Sequence, residues 1–169
     1  MIYVGTFSKL LYPGLRIAYM VVPRWAASGL GEGIRKLYRG GQAVEQRALA
    51  RLLESGQLTR NLRRMAPVYR ERQAVLRAAL QAGFGEGCPV LGGQAGLHLV
   101  LGLPTSVPDT ALTEAALEQG LAPRPLSAYY VGATPGNGLV LGYGLTDVAR
   151  IPELVDRLVR AREKLAYAG

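Results

Sequence analysis

The first apolar run of this chain ends on a lysine, and only a tight reversal lets the second run return beside it. Tyr3-Val4-Gly5-Thr6-Phe7-Ser8-Lys9 is followed by Pro13-Gly14-Leu15-Arg16 and then by apolar residues as far as Val22. Proline presets the backbone angle of a turn, and glycine admits a close backbone approach. Gly14 reads equally well as a plain turn glycine. A lysine amine captures carbonyl carbon when its pKa is lowered. An arginine brought back beside it grips a phosphate through two parallel hydrogen bonds. The hydroxyls of Thr6 and Ser8 add donors for the same anion. A strand, a turn and a strand thus present a nucleophile and an anion clamp at one end. An isolated lysine at a strand end would be a surface charge and nothing more; the surrounding residues set Lys9 apart.

Composition narrows the classes. At 169 residues the chain is the size of one domain, and 49% hydrophobic residues exclude a disordered tail. The single cysteine, Cys88, forms no internal disulfide, which suits a reducing compartment. No apolar run reaches the ~18 residues that span a bilayer, and the N-terminus lacks the pattern of an export signal. A cytoplasmic location without membrane association is the expectation. The net charge of +8 raises the possibility of nucleic-acid contact. Lysine occurs only at Lys9, Lys36 and Lys164, so arginine carries nearly all of that charge. Its densest run, from Arg60 through Arg63, Arg64, Arg70 and Arg72 to Arg77, reads as the solvated face of one helix. Neither zinc-finger spacing nor an RNP motif accompanies it.

Along the chain, short strands alternate with helices. Strands are expected over 2–7 and 15–22, a helix over 24–38 broken at Gly40-Gly41, and a second helix over 44–54 capped by Gly56. A long helix over 59–82 turns Leu62, Met65, Tyr69, Leu76 and Leu80 inward, and Pro67 should kink or break it. It is the natural bridge between two lobes. Beyond Gly83 the texture is α+β, with strands over 97–103 and 139–143 and helices over 109–119 and 147–166.

The lysine segment from Tyr3 to Val22 resembles that of fold-type-I pyridoxal-phosphate enzymes, the aminotransferase class I/II superfamily. Later segments are similar to the aminotransferase-like domain of MocR-type regulators of the GntR family. They are Gln46-Arg47-Ala48-Leu49-Ala50, Glu54-Ser55-Gly56, Arg60-Asn61-Leu62-Arg63-Arg64-Met65, Tyr69-Arg70, Ala95-Gly96-Leu97-His98, Pro125-Leu126-Ser127-Ala128-Tyr129-Tyr130 and Gly138-Leu139-Val140-Leu141-Gly142-Tyr143. The resemblance implies an α/β fold, the C-terminal portion of a pyridoxal-phosphate-dependent transferase. Residues 1–60 would be a remnant of the large cofactor-binding domain, contributing part of its sheet. Residues 61–169 would form a complete small α+β domain. It also implies a chain that begins in the middle of such a domain, with the aspartate and the stacking aromatic of the superfamily lying upstream.

The same resemblance assigns roles. Lys9 would form the Schiff base with pyridoxal 5'-phosphate, Arg16 would bind the phosphate, and Ser8 and Thr6 would supply hydroxyls to it. Tyr129 would line the mouth of the substrate site. His98, the only histidine, rules out a histidine-based metal cluster and reads as a structural residue beside the site. Aminotransferases of this fold place an arginine near the start of the late strand to hold the substrate carboxylate. Leu139 and Val140 stand there, and Arg124 is the candidate substitute. That departure favours the effector domain of a transcriptional regulator, which senses an amine or amino acid. A stand-alone aminotransferase and an inert remnant are the alternatives. The full-length form is expected to be a homodimer that reaches DNA only through a domain absent from this chain.

Overall fold

The computed structural model describes residues 1–11, 13–39, 41–94, 96–132 and 135–168, and eleven regular segments of strand and helix order these described residues. Gly40 of the expected helix break and Ala95 of the later motif lie outside the described residues. Two compact units emerge, residues 1–65 and 66–169.

The first unit opens with an antiparallel hairpin of β1 (Tyr3–Thr6) and β2 (Ala18–Val21), paired from Tyr3 opposite Val21 to Thr6 opposite Ala18. The second strand is shorter than its apolar run because Pro13–Leu15 forms a 3-10 turn. Gly5 faces Tyr19, and a side chain at position 5 would collide with that ring. The Tyr19 ring thereby lies within 5.5 Å of the Phe7 ring and 6.0 Å of the Tyr3 ring, centre to centre. Helix α1 (Arg24–Tyr38) follows Pro23, which ends the strand and starts the helix with its fixed φ. Helix α2 (Ala43–Glu54) ends at Ser55, and Gly56 takes the left-handed conformation that closes it. Ile17, Leu49 and Leu58 are the buried apolar side chains of this unit, whereas Trp25, Leu37 and Tyr38 of α1 stand exposed.

Helix α3 (Gln57–Phe84) carries the boundary between the units. It runs through Pro67 as one helix, so the expected break does not occur. Proline removes one N–H and leaves the Arg63 carbonyl without its helical donor. Both residues are exposed, so the carbonyl is open to solvent.

The second unit is a four-stranded antiparallel sheet in the order β3-β4-β6-β5, with helices on one face. Its central pair is β4 (His98–Gly102) and β6 (Gly138–Gly142), in register from His98 opposite Gly142 to Gly102 opposite Gly138. Two-residue strands, β3 (Val90–Leu91) and β5 (Arg124–Pro125), flank the pair and are too short for a periodic signal in sequence. Alternation puts Leu99, Leu101 and Leu139 into the core. There they meet Leu80 of α3, Leu112 of α4 (Asp109–Glu118) and Leu158 of α5 (Ile151–Ala168). Tyr143 is buried in the same core and donates its hydroxyl to the Gly96 carbonyl at 2.8 Å.

The arginine-rich stretch of α3 corrects one expectation. Arg77 donates to the carbonyls of Val90 and Gly92 at 2.8 and 2.6 Å, and Arg72 donates to that of Gly144. Gln73, between them, donates to the Gly93 carbonyl. These side chains clip loops to the helix instead of being merely solvated. Guanidinium suits the task because its planar fork satisfies two carbonyls at once.

Arg16 has φ 52°, a left-handed backbone that costs a non-glycine residue about 1–2 kcal/mol.

Three outcomes follow from this packing. Leu80→Ala, at a fully buried position, should lower unfolding free energy by about 3 kcal/mol in urea titrations. Arg16→Gly should unfold at higher denaturant than Arg16→Ala, by about 1 kcal/mol, because only the glycine accepts the left-handed backbone without strain. Burial pushes the Tyr143 phenol above its ordinary 10.0, so this contribution is complete below pH 10.0 and is lost as pH rises through the folded value. Tyr143→Phe should cost about 1 kcal/mol at neutral pH and flatten the alkaline arm of the stability curve.

Candidate functional site

The hairpin register places the candidate anion-binding residues. Beyond the last strand pair, the Phe7 N–H still donates to the Ile17 carbonyl at 3.0 Å. Ser8 follows and Arg16 precedes that bonded pair, so both stand at the open end of the hairpin. Lys9 comes next, inside a single helical turn in which Leu10 and Leu11 both donate to the Phe7 carbonyl, at 3.1 and 2.9 Å. The turn lifts Lys9 off the strand line and leaves it exposed, as Arg16 is. Among the described residues the ion pairs are Lys36 with Glu32 and Arg157 with Glu153, so neither Lys9 nor Arg16 is neutralised by a carboxylate.

Thr6 is arranged differently from Ser8. Its hydroxyl accepts the Ser8 N–H at 3.2 Å and leans toward the Ile17 carbonyl at 3.5 Å. The side chain therefore braces the start of the turn. Ser8, half-buried, is the better placed hydroxyl for a ligand. An amine, a guanidinium and a hydroxyl gathered at one hairpin mouth fit an aldehyde that carries a phosphate dianion.

The remaining candidates lie in the second unit. Arg124 is exposed on β5 and stands directly opposite Val140. The strand position at which an arginine was expected thus has a guanidinium on the neighbouring strand. Leu139 cannot take that role because it is fully buried in the core. Tyr129 ends a 3-10 turn over Leu126–Tyr129 and is 57% exposed; Tyr130 follows, 50% exposed. Tyr130 rests against Gly136, where a Cβ would come within 2.7 Å of its hydroxyl. His98 is exposed, with its ring beside Gly142. No cluster of three or more metal-ligating side chains exists among the described residues. None of their helices is long and apolar enough to cross a membrane.

A buried polar knot was not legible in sequence. Asp109, the first residue of α4, is 4% exposed and accepts from Ser127 N, Ser127 Oγ and Gly138 N. Asn137 accepts the Asp109 N–H at 2.9 Å and donates to the carbonyls of Leu103, Pro104 and Val107. Its partners lie tens of residues away, and no local pattern announces them.

Comparison with known proteins gives these residues a lineage. The model of the family described as aminotransferase class I and II matches residues 1–158. An uncharacterized HTH-type transcriptional regulator of Bacillus subtilis, YhdI, is 34% identical over 143 residues, 85% of this chain and 30% of its own. The probable rhizopine catabolism regulatory protein MocR of Rhizobium meliloti is 33% identical over 168 residues, 99% of this chain and 34% of its own. The chain therefore spans about a third of the length of these regulators. Among solved structures, the α-aminoadipate aminotransferase LysN of Thermus thermophilus, complexed with N-(5'-phosphopyridoxyl)-L-leucine, superposes with a TM-score of 0.88. That match has 29% identity and covers 99% of this chain and 43% of LysN. Family and adduct together support pyridoxal 5'-phosphate as the cofactor. By its sequence, its fold and its regulator-like relatives, the chain belongs to the aminotransferase class I and II family, in an aminotransferase-like domain homologous to MocR-type regulators.

Proposed function

We propose that this chain is part of the effector domain of a transcriptional regulator, in which Lys9 binds pyridoxal 5'-phosphate covalently. The observation that supports the reading is the hairpin whose open end carries Ser8 and Lys9 after one strand and Arg16 before the other. Residues 1–60 belong to the large cofactor-binding domain, and residues 61–169 form the small domain. The cofactor, when bound, supplies an electrophilic aldehyde and an electron-withdrawing ring. Lys9 would hold the cofactor through Nζ, the aldehyde oxygen leaving as water, and when free would hold and return a proton at that atom. Arg16 and Ser8 fix the phosphate, and Thr6 holds the turn that presents them.

Arg124 and Tyr129 receive the amine or amino-acid effector. A carboxylate gripped from β5 would meet a guanidinium entering from the strand beside Val140, a weaker and differently aimed clamp than one on β6 itself. That geometry suits recognition better than rapid amino transfer. In the whole protein the readout is DNA binding by a separate domain in a cytoplasmic homodimer, with occupancy shifting the balance between conformations. Regulator relatives such as MocR support this reading. A second reading, a stand-alone aminotransferase, is favoured by the likeness to LysN. An in-frame helix-turn-helix domain encoded by the same gene supports the first and its absence the second.

Borohydride reduction of the cofactor-loaded protein, followed by peptide mapping, should leave a pyridoxyl mass on Lys9 and none in Lys9→Ala. Arg16→Ala should weaken cofactor binding by about tenfold or more through loss of a charge-assisted pair. A protein that takes up no cofactor at all would be an inert remnant of the family.

A further inference from the structure

Asp109 occupies an unusual position: one buried carboxyl group joins three separate elements. It begins α4, yet both oxygens point away from that helix. Oδ1 accepts the Ser127 hydroxyl at 2.8 Å, and Oδ2 accepts the Ser127 N–H at 2.8 Å and the Gly138 N–H at 3.3 Å. Ser127 is the second residue of the 3-10 turn that ends at Tyr129. Gly138 begins β6, the strand that holds Arg124 opposite Val140. Close packing makes glycine obligatory at position 138, since a Cβ there would lie 2.6 Å from the Leu101 carbonyl. Asn137 closes the knot by accepting the Asp109 N–H at 2.9 Å and tying down the turn through Pro104 and Val107.

We infer that Asp109 is a positioning residue for the effector-binding wall, fixing the segment that carries Arg124 and Tyr129 without touching the ligand. The inference rests on the effector role proposed above for those two side chains. Arg124 sits on a strand of only two residues, and Tyr129 on a single turn. The strand has only two cross-strand positions, and the turn is closed by the Tyr130 N–H donating to the Ser127 carbonyl at 3.1 Å. A 3-10 turn bonds poorly and frays readily. The three donors converging on one carboxyl group supply the missing rigidity, and their burial keeps water from competing for them. Ligand geometry that must be met within about half an ångström demands such support from behind.

The test is amide hydrogen exchange on the full-length protein. Asp109→Asn keeps the shape but replaces the charged acceptor by a neutral amide, which weakens the bonds to Ser127 and Gly138. Amides of residues 124–130 should exchange about tenfold faster, while Leu99 and Leu101 in the central strand stay protected. Ser127→Ala removes one bond of the three and should produce a smaller increase, which Ser127→Thr restores. The second variant keeps the question answerable if Asp109→Asn folds poorly. Uniform acceleration across the unit, or none in residues 124–130, would overturn the inference. The cofactor-loaded protein should then be titrated with L-2-aminoadipate while cofactor absorbance is followed. Asp109→Asn should raise the half-saturating concentration about tenfold with cofactor retention unchanged. If Arg124→Ala and Tyr129→Phe leave that titration unaltered, the effector role of those side chains fails, whereas the exchange data still decide the role of Asp109.

Discussion

Register between antiparallel strands is the constraint on which both units depend. Side chains alternate across a sheet with a period of two, so a slip of one residue would turn every inward side chain outward. In the second unit the β4–β6 register sends Leu99, Leu101 and Leu139 into one core. In the first unit the β1–β2 register decides which residues share the hairpin mouth. The same rule therefore secures a core in one place and sets the open end of a hairpin in the other. Gly5 and Gly138 protect the two registers, because any side chain at either position would strike its cross-strand neighbour.

The units put their apolar residues to different use. The second closes on its own core, with α3, α4 and α5 laid on one sheet face. The first leaves the apolar residues of α1 and of both strands exposed. Its order comes from hydrogen bonds of the turn and from the aromatic contacts of Tyr19. The left-handed backbone at Arg16 belongs to this economy of local constraints. Strain of this kind concentrates where a side chain must be aimed at a ligand.

Much of the fold was legible because its signals are local. Helical periodicity marked α1, α2 and α5 closely, and the glycine after Ser55 marked the end of α2. The lysine motif and the later segments pointed to the family by themselves. Pro67 misled, since an exposed helix tolerates the loss of one hydrogen bond. The strands β3 and β5 escaped notice because two residues carry no period. Arg72 and Arg77 look like solvent-facing charges until the loops they clip are folded against the helix.

By itself, the sequence determined the chemical inventory: a lysine after an apolar run, an arginine after a turn, and a late strand with valine where the fold's enzymes place arginine. It also determined which stretches form helices, because capping and periodicity act over a few residues. Only the tertiary structure decided that Phe7 bonds Ile17 at the hairpin mouth, that Arg124 lies opposite Val140, and that Asp109 reaches Ser127 and Gly138. Those relations join residues far apart in the chain. They are set by strand pairing and burial, which operate on distance in space and leave no trace in local spacing.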